Sequence, residues 1–86
     1  MEKKCKNILI AHYLEKVPTA QELENLIKKI EIVRGTNEIT FKYKNFAILL
    51  AENIIDVFKF NPNIGEYENI ERYEASETYE NIIKNF

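Results

Sequence analysis

Residues 38–60 read EITFKYKNFAILLAENIIDVFKF. In the first part of this stretch Ile39, Phe41 and Tyr43 alternate with Thr40, Lys42 and Lys44, the period of a strand with one buried face. Lys44-Asn45 and Glu52-Asn53 punctuate the two apolar runs that follow, and Gly35-Thr36-Asn37 joins the alternating segment to Glu31–Arg34 through a tight turn. The reading is an antiparallel meander with strands near 31–34, 38–43, 46–51 and 54–60. A rival exists within the same letters. Ala47, Leu50, Ala51, Ile54, Val57 and Phe58 also form a helical stripe, with Glu52, Asp56 and Lys59 opposite. Propensity favours the sheet, because Ile54, Ile55, Val57, Phe58 and Phe60 are better strand than helix formers.

Helices are expected on both sides of the meander. Ala20, Leu23, Leu26, Ile27 and Ile30 fall on one face of a 3.6-residue repeat. Pro18 cannot sit inside a helix, and Thr19-Ala20-Gln21-Glu22 reads as a capping box, so a helix is predicted over 19–30. Upstream, Ile10, Tyr13, Leu14 and Val17 fit helical spacing, while Asn7–Ala11 would also pass as a buried strand; the reading leans to helix. Asn61-Pro62-Asn63-Ile64-Gly65 is the main loop. Beyond it, Ile70–Glu74 is expected to be a short edge strand, and Ser76 to cap a terminal helix that buries Tyr79, Ile82, Ile83 and Phe86. The fold class is therefore α+β: an N-terminal helix or helical hairpin, three to four antiparallel strands and a C-terminal helix.

Eighty-six residues suffice for one compact domain, 1–86, that folds without metal or disulfide staples. A single cysteine, Cys5, excludes an internal disulfide and a cysteine-based zinc site. The longest apolar run, Phe46–Ala51, is far too short to span a bilayer, and Met1–Lys6 is charged with no signal-type core behind it. A cytoplasmic, non-membrane protein is expected. Phe, Tyr, Ile, Asn and Lys supply 43 of the 86 residues, against 11 from Gly, Ala, Arg and Pro. AT-rich codons spell the first group, which points to a low-GC bacterium, its phage or its plasmid.

Most chemistry-bearing residues lack partners. His12 has only Glu15 as a chemical neighbour at helical spacing, which is no metal site. Cys5 lies among Lys3, Lys4 and Lys6, which would favour thiolate, but no base or oxyanion-stabilising pocket accompanies it. Gly35 and Gly65 build no phosphate loop, and Ser76 is the sole serine. No enzyme, cofactor or metal is expected. Lys3, Lys4 and Lys6, with Lys42 and Lys44, are the residues a small nucleic-acid-binding accessory protein would use. Stacking aromatics would have to accompany them, and Phe41 and Tyr43 point to the other face.

Charge is the remaining signal. Residues 1–44 carry nine Lys/Arg against six Glu, while residues 45–86 carry three against eight Asp/Glu. The densest stretch holds Glu66, Tyr67, Glu68, Glu71, Tyr73, Glu74 and Glu77. These residues are the candidate partner-binding set. Carboxylates steer approach to a basic protein, tyrosines supply contact area at low entropic cost, and spaced carboxylates can imitate a phosphate track. The functional expectation is a non-enzymatic interaction module, in the form of a phage- or plasmid-encoded inhibitor of a nucleic-acid-handling protein. The alternatives are the lysine-based accessory protein and a homodimeric structural protein.

Overall fold

A computed structural model describes all of residues 1–86. Two helices, α1 (Glu2–Leu14) and α2 (Ala20–Ile27), precede five strands: β1 (Glu31–Arg34), β2 (Glu38–Tyr43), β3 (Phe46–Ala51), β4 (Ile54–Asn61) and β5 (Glu66–Glu74). A short helix, α3 (Tyr79–Ile83), closes the chain. The strands form one antiparallel sheet in the order β1-β2-β3-β4-β5, a simple meander. The class is α+β with five strands rather than three or four. The helical alternative for 46–58 is overturned: β3 and β4 pair through a two-residue connection at Glu52-Asn53.

The turns explain the register. Lys44 and Glu52, each the first residue of a two-residue connection, adopt left-handed backbone with φ 54 at both. That conformation matches the twist of the flanking strands and costs a residue with a Cβ about 1 kcal/mol. At Gly35 the backbone N–H donates to the Glu38 carbonyl at 2.7 Å, and an added Cβ would lie 3.0 Å from the Glu38 side chain. After β4, Gly65 (φ +71) donates to the Asn61 carbonyl at 2.9 Å and turns the chain into β5.

Helix α1 is the centre of the molecule. Cys5, Ile8, Leu9, Ile10 and Ala11 are fully buried, four of them consecutive in sequence. Consecutive burial is possible because β2 and β3 lie against one side of α1, and α2 and α3 flank it. Ile8–Ala11 is apolar and buried on every side of the helix, which is why this segment also passed for a strand. Phe41, Tyr43, Phe46, Ile48, Ile55 and Val57 meet it from the sheet, and Ile82 from α3. Tyr13 stands edge-on to Tyr43 with ring centroids 4.8 Å apart. No helix is long and apolar enough to cross a membrane.

Helix α2 begins at the expected cap. The Thr19 hydroxyl accepts from Glu22 N–H at 3.1 Å, and Thr19 N–H donates to the Glu22 carboxylate at 2.9 Å. It ends at Ile27, three residues before the predicted end, and Ile30 enters the core from beyond it. For α3 the cap is Thr78, not Ser76: its hydroxyl accepts from Asn81 N–H at 3.3 Å. Ser76 instead lies in the β5–α3 connection. That connection is held by Ala75 N–H to the Asn53 carbonyl at 2.7 Å, and by the Lys4 ammonium, which donates to the carbonyls of Ala75 and Glu77.

Candidate interaction surface

Strand β5 pairs with β4 on one side and with nothing on the other, so one row of its backbone groups faces outward. It spans nine residues, four more than the edge strand expected at Ile70–Glu74. Ile70 explains the shortfall. Val57 lies opposite Glu71, and Phe58 opposite Asn69, so Ile70 is the extra residue of a β-bulge. A bulge breaks the two-residue period and hides a strand from any alternation test.

The strand is exposed along its length except at one position. Glu66, Glu68, Glu71 and Glu74 are exposed on it, and Glu77 just after it. The only cation on the strand, Arg72, is spent on Asp56 of β4. Its Nε and Nη2 donate to the two carboxylate oxygens at 2.6 and 3.2 Å. Burial differs sharply within that pair, with 65% of the Arg72 side chain exposed and 14% of Asp56. The bond keeps Arg72 from the glutamates, and Lys59, opposite Glu68 in the strand pairing, forms no ion pair with it. Glu68 accepts from the Asn61 amide, a neutral partner, at 3.0 Å.

The two tyrosines of the expected set part company. Tyr67 is 43% exposed and stacks edge-on against Phe60, with centroids 5.4 Å apart. Tyr73 is 8% exposed and belongs to the core, opposite Ile55. Its hydroxyl lies 3.1 Å from His12 Nε2. Burial pushes the phenol up to about 12, and burial holds the imidazole below its ordinary value against an opposing pull from Glu71. Tyr73 is therefore withdrawn from the contact surface, where an anchor must be free to touch a partner. Ile70, 43% exposed because the bulge turns it out, is the apolar side chain that sequence reading missed. No periodic signal marks it.

Two other candidates are resolved by burial. Cys5 is fully buried, and burial pushes its thiol up to about 11, overriding Lys4 and the N-terminal ammonium. The lysines do not converge into one patch: Lys42 alternates with the inward-facing Phe41 and Tyr43, so it points away from α1, which carries Lys3, Lys4 and Lys6. Two layers of structure separate the groups.

Phe60 and Tyr67 belong to a wider surface, the sheet face that no helix covers. The strand pairings place Lys42, Ala47, Phe58 and Asn69 on one row of this face. Val33, Thr40, Leu49, Asp56 and Arg72 form the next row, and Glu38, Ala51, Ile54 and Glu74 the third. The grooves at the surface are open and shallow. One, of about 300 Å³, lies beside His12, Lys59, Ile70 and Phe86. No three His, Cys, Asp or Glu side chains converge as a metal-ligand set. Comparison of the chain with protein-family models, with curated proteins and with solved structures finds no match.

Proposed function

We propose that this chain is a non-enzymatic protein-interaction module that receives a basic partner on the β5 edge. The observation that carries the reading is the charge state of that edge: four exposed glutamates on nine residues, with the single arginine already paired to Asp56. Glu77 extends the acidic row past the strand, and Tyr67 and Ile70 give it apolar contact area on opposite sides. Glutamates on an edge strand also repel stray strands. Glu66, Glu68 and Glu71 share the face of Val57 and Glu74 turns to the other face, and carboxylates at this density are what electrostatic steering requires.

The partner chemistry follows from the spacing. Carboxylates repeating along an extended strand resemble a phosphate track, so the fitting partner is a nucleic-acid-handling protein with a basic channel, which the module inhibits by occupation. Such a cytoplasmic inhibitor, encoded by a phage or plasmid of a low-GC host, is the biological form of the proposal. The lysine-based nucleic-acid reading is the weaker one, since Lys4 is engaged in holding the β5–α3 connection and Lys42 lies on the opposite face of the sheet from α1.

The test is affinity capture from a low-GC bacterial lysate by the wild-type chain and by a variant with Glu66, Glu68, Glu71 and Glu74 all changed to Lys. A basic protein retained by the first and lost by the second, with circular dichroism unchanged, is the expected result. Equal retention by both overturns the reading.

A further inference from the structure

Strand β3, Phe46-Ala-Ile-Leu-Leu-Ala51, has no polar residue, and β4 is interrupted only by Asp56, Lys59 and Asn61. Runs of this kind belong to strands buried on both faces. Here the helices cover one face only. The other presents Leu49, Ile54, Phe58 and Phe60 as half-buried side chains, shielded by one another, with Val33 48% and Tyr67 43% exposed at either flank. Charge on this face is bipolar. Lys42 and Lys44 stand at the end of the β2–β3 turn, with Glu31 at their margin, and Glu38 and Glu74 stand at the other end. The middle row is neutral, because Asp56 carries its own counter-ion in Arg72.

We propose that a second copy of this chain docks on this face, sheet against sheet, about a two-fold axis running across the strands through the middle row. A polyanion or a uniformly basic protein would gain at one end of a bipolar face what it lost at the other. A surface that complements both ends is the same face reversed. The axis sets Leu49 against its own copy, Phe58 against Ile54 and Lys42 against Glu38, each contact occurring twice. Aligned sheets of this kind pack about 10 Å apart. Five strands of about six residues cover roughly 24 by 20 Å, or about 1,000 Å² over both copies, the lower bound for a specific interface. Glu74 and Tyr67 lie on this face as well as on β5, so the two pairings are told apart at Lys42 and Glu38, which the partner proposed for the β5 edge does not use.

The test is sedimentation equilibrium of the untagged chain from micromolar to millimolar concentration, with Leu49→Lys, Lys42→Glu and Lys42→Glu/Glu38→Lys variants. The wild type is expected to reach twice the chain mass. Leu49→Lys sets an ammonium against its copy and removes the dimer. Lys42→Glu weakens association at least tenfold, and adding Glu38→Lys restores it. Both of those positions are exposed, so the charge swap reads the contact even if Leu49→Lys fails to fold. A wild type that stays monomeric at millimolar concentration overturns the proposal. So does a dimer indifferent to Lys42→Glu, or one that the second substitution leaves unrestored.

Discussion

The two faces of one sheet are built from the same strands and differ in what covers them. On the helix side Phe41, Ile48, Ile55 and Val57 are completely buried beneath α1. On the other side Leu49, Phe58 and Phe60, of the same chemical kinds, are sheltered only by their neighbours. Side-chain type does not distinguish the faces; the third dimension does. The lesson is that apolar content at a strand position states a need for cover, and cover supplied from outside the chain leaves the same mark in sequence as a core.

The contrast can be broken most strongly by truncating one phenylalanine from each face. Phe41→Ala should cost about 3–5 kcal/mol, the transfer and cavity penalty of a closed core site. Phe58→Ala, measured at concentrations where the chain is monomeric, should cost less, about 1–2 kcal/mol, because the side chain is only partly buried and its loss leaves no closed cavity. Urea denaturation midpoints check both. Comparable losses would mean that the open face is as well packed as the core.

Strand β5 offers a finer version of the same contrast. Tyr73→Phe removes the hydroxyl that meets His12 and should lower stability by about 0.5–1.5 kcal/mol, whereas Tyr67→Phe should leave the denaturation midpoint in place. The Thr19→Ala substitution tests the helical layer and should cost about 0.5–2 kcal/mol through loss of the capping box.

The smallest effect is protonic. Burial holds the His12 imidazole below its ordinary 6.5, so the folded chain favours the neutral ring more than the unfolded chain does. That contribution is complete above pH 6.5 and is lost as pH falls towards the depressed folded value, because the unfolded state takes up the proton first. Glu71 opposes the shift and limits its size. His12→Gln should flatten this part of the stability profile below about pH 6.5; a slope identical to wild type would remove His12 as its source.

Much of this was legible in the letters. The four strands from 31 to 60 and the Thr19 cap were readable because alternation, turn residues and a capping box are local signals. What was lost had non-local causes. The bulge at Ile70 shifted the phase of β5, so only its second half looked like a strand. Tyr73 carried no mark separating it from Tyr67, since its burial depends on α1 arriving from sixty residues away. The Ser76 cap failed for a similar reason: the connection is pinned by Asn53 and Lys4, and the first residue free to start a helix is Thr78. The acidic row was visible, and so was the edge position of its second half; the extension of the strand back to Glu66 was not.

That edge is the centre of the functional account, and the salt dependence of partner binding tests it most directly. Affinity of the captured partner should be measured from low to high ionic strength for the wild type and for the variant with Glu66, Glu68, Glu71 and Glu74 changed to Lys. The account predicts a wild-type affinity that falls steeply with salt and a variant that does not bind at any salt concentration. Equal affinity for both chains, flat across the salt series, would contradict it and leave the glutamates as guards of an exposed strand edge.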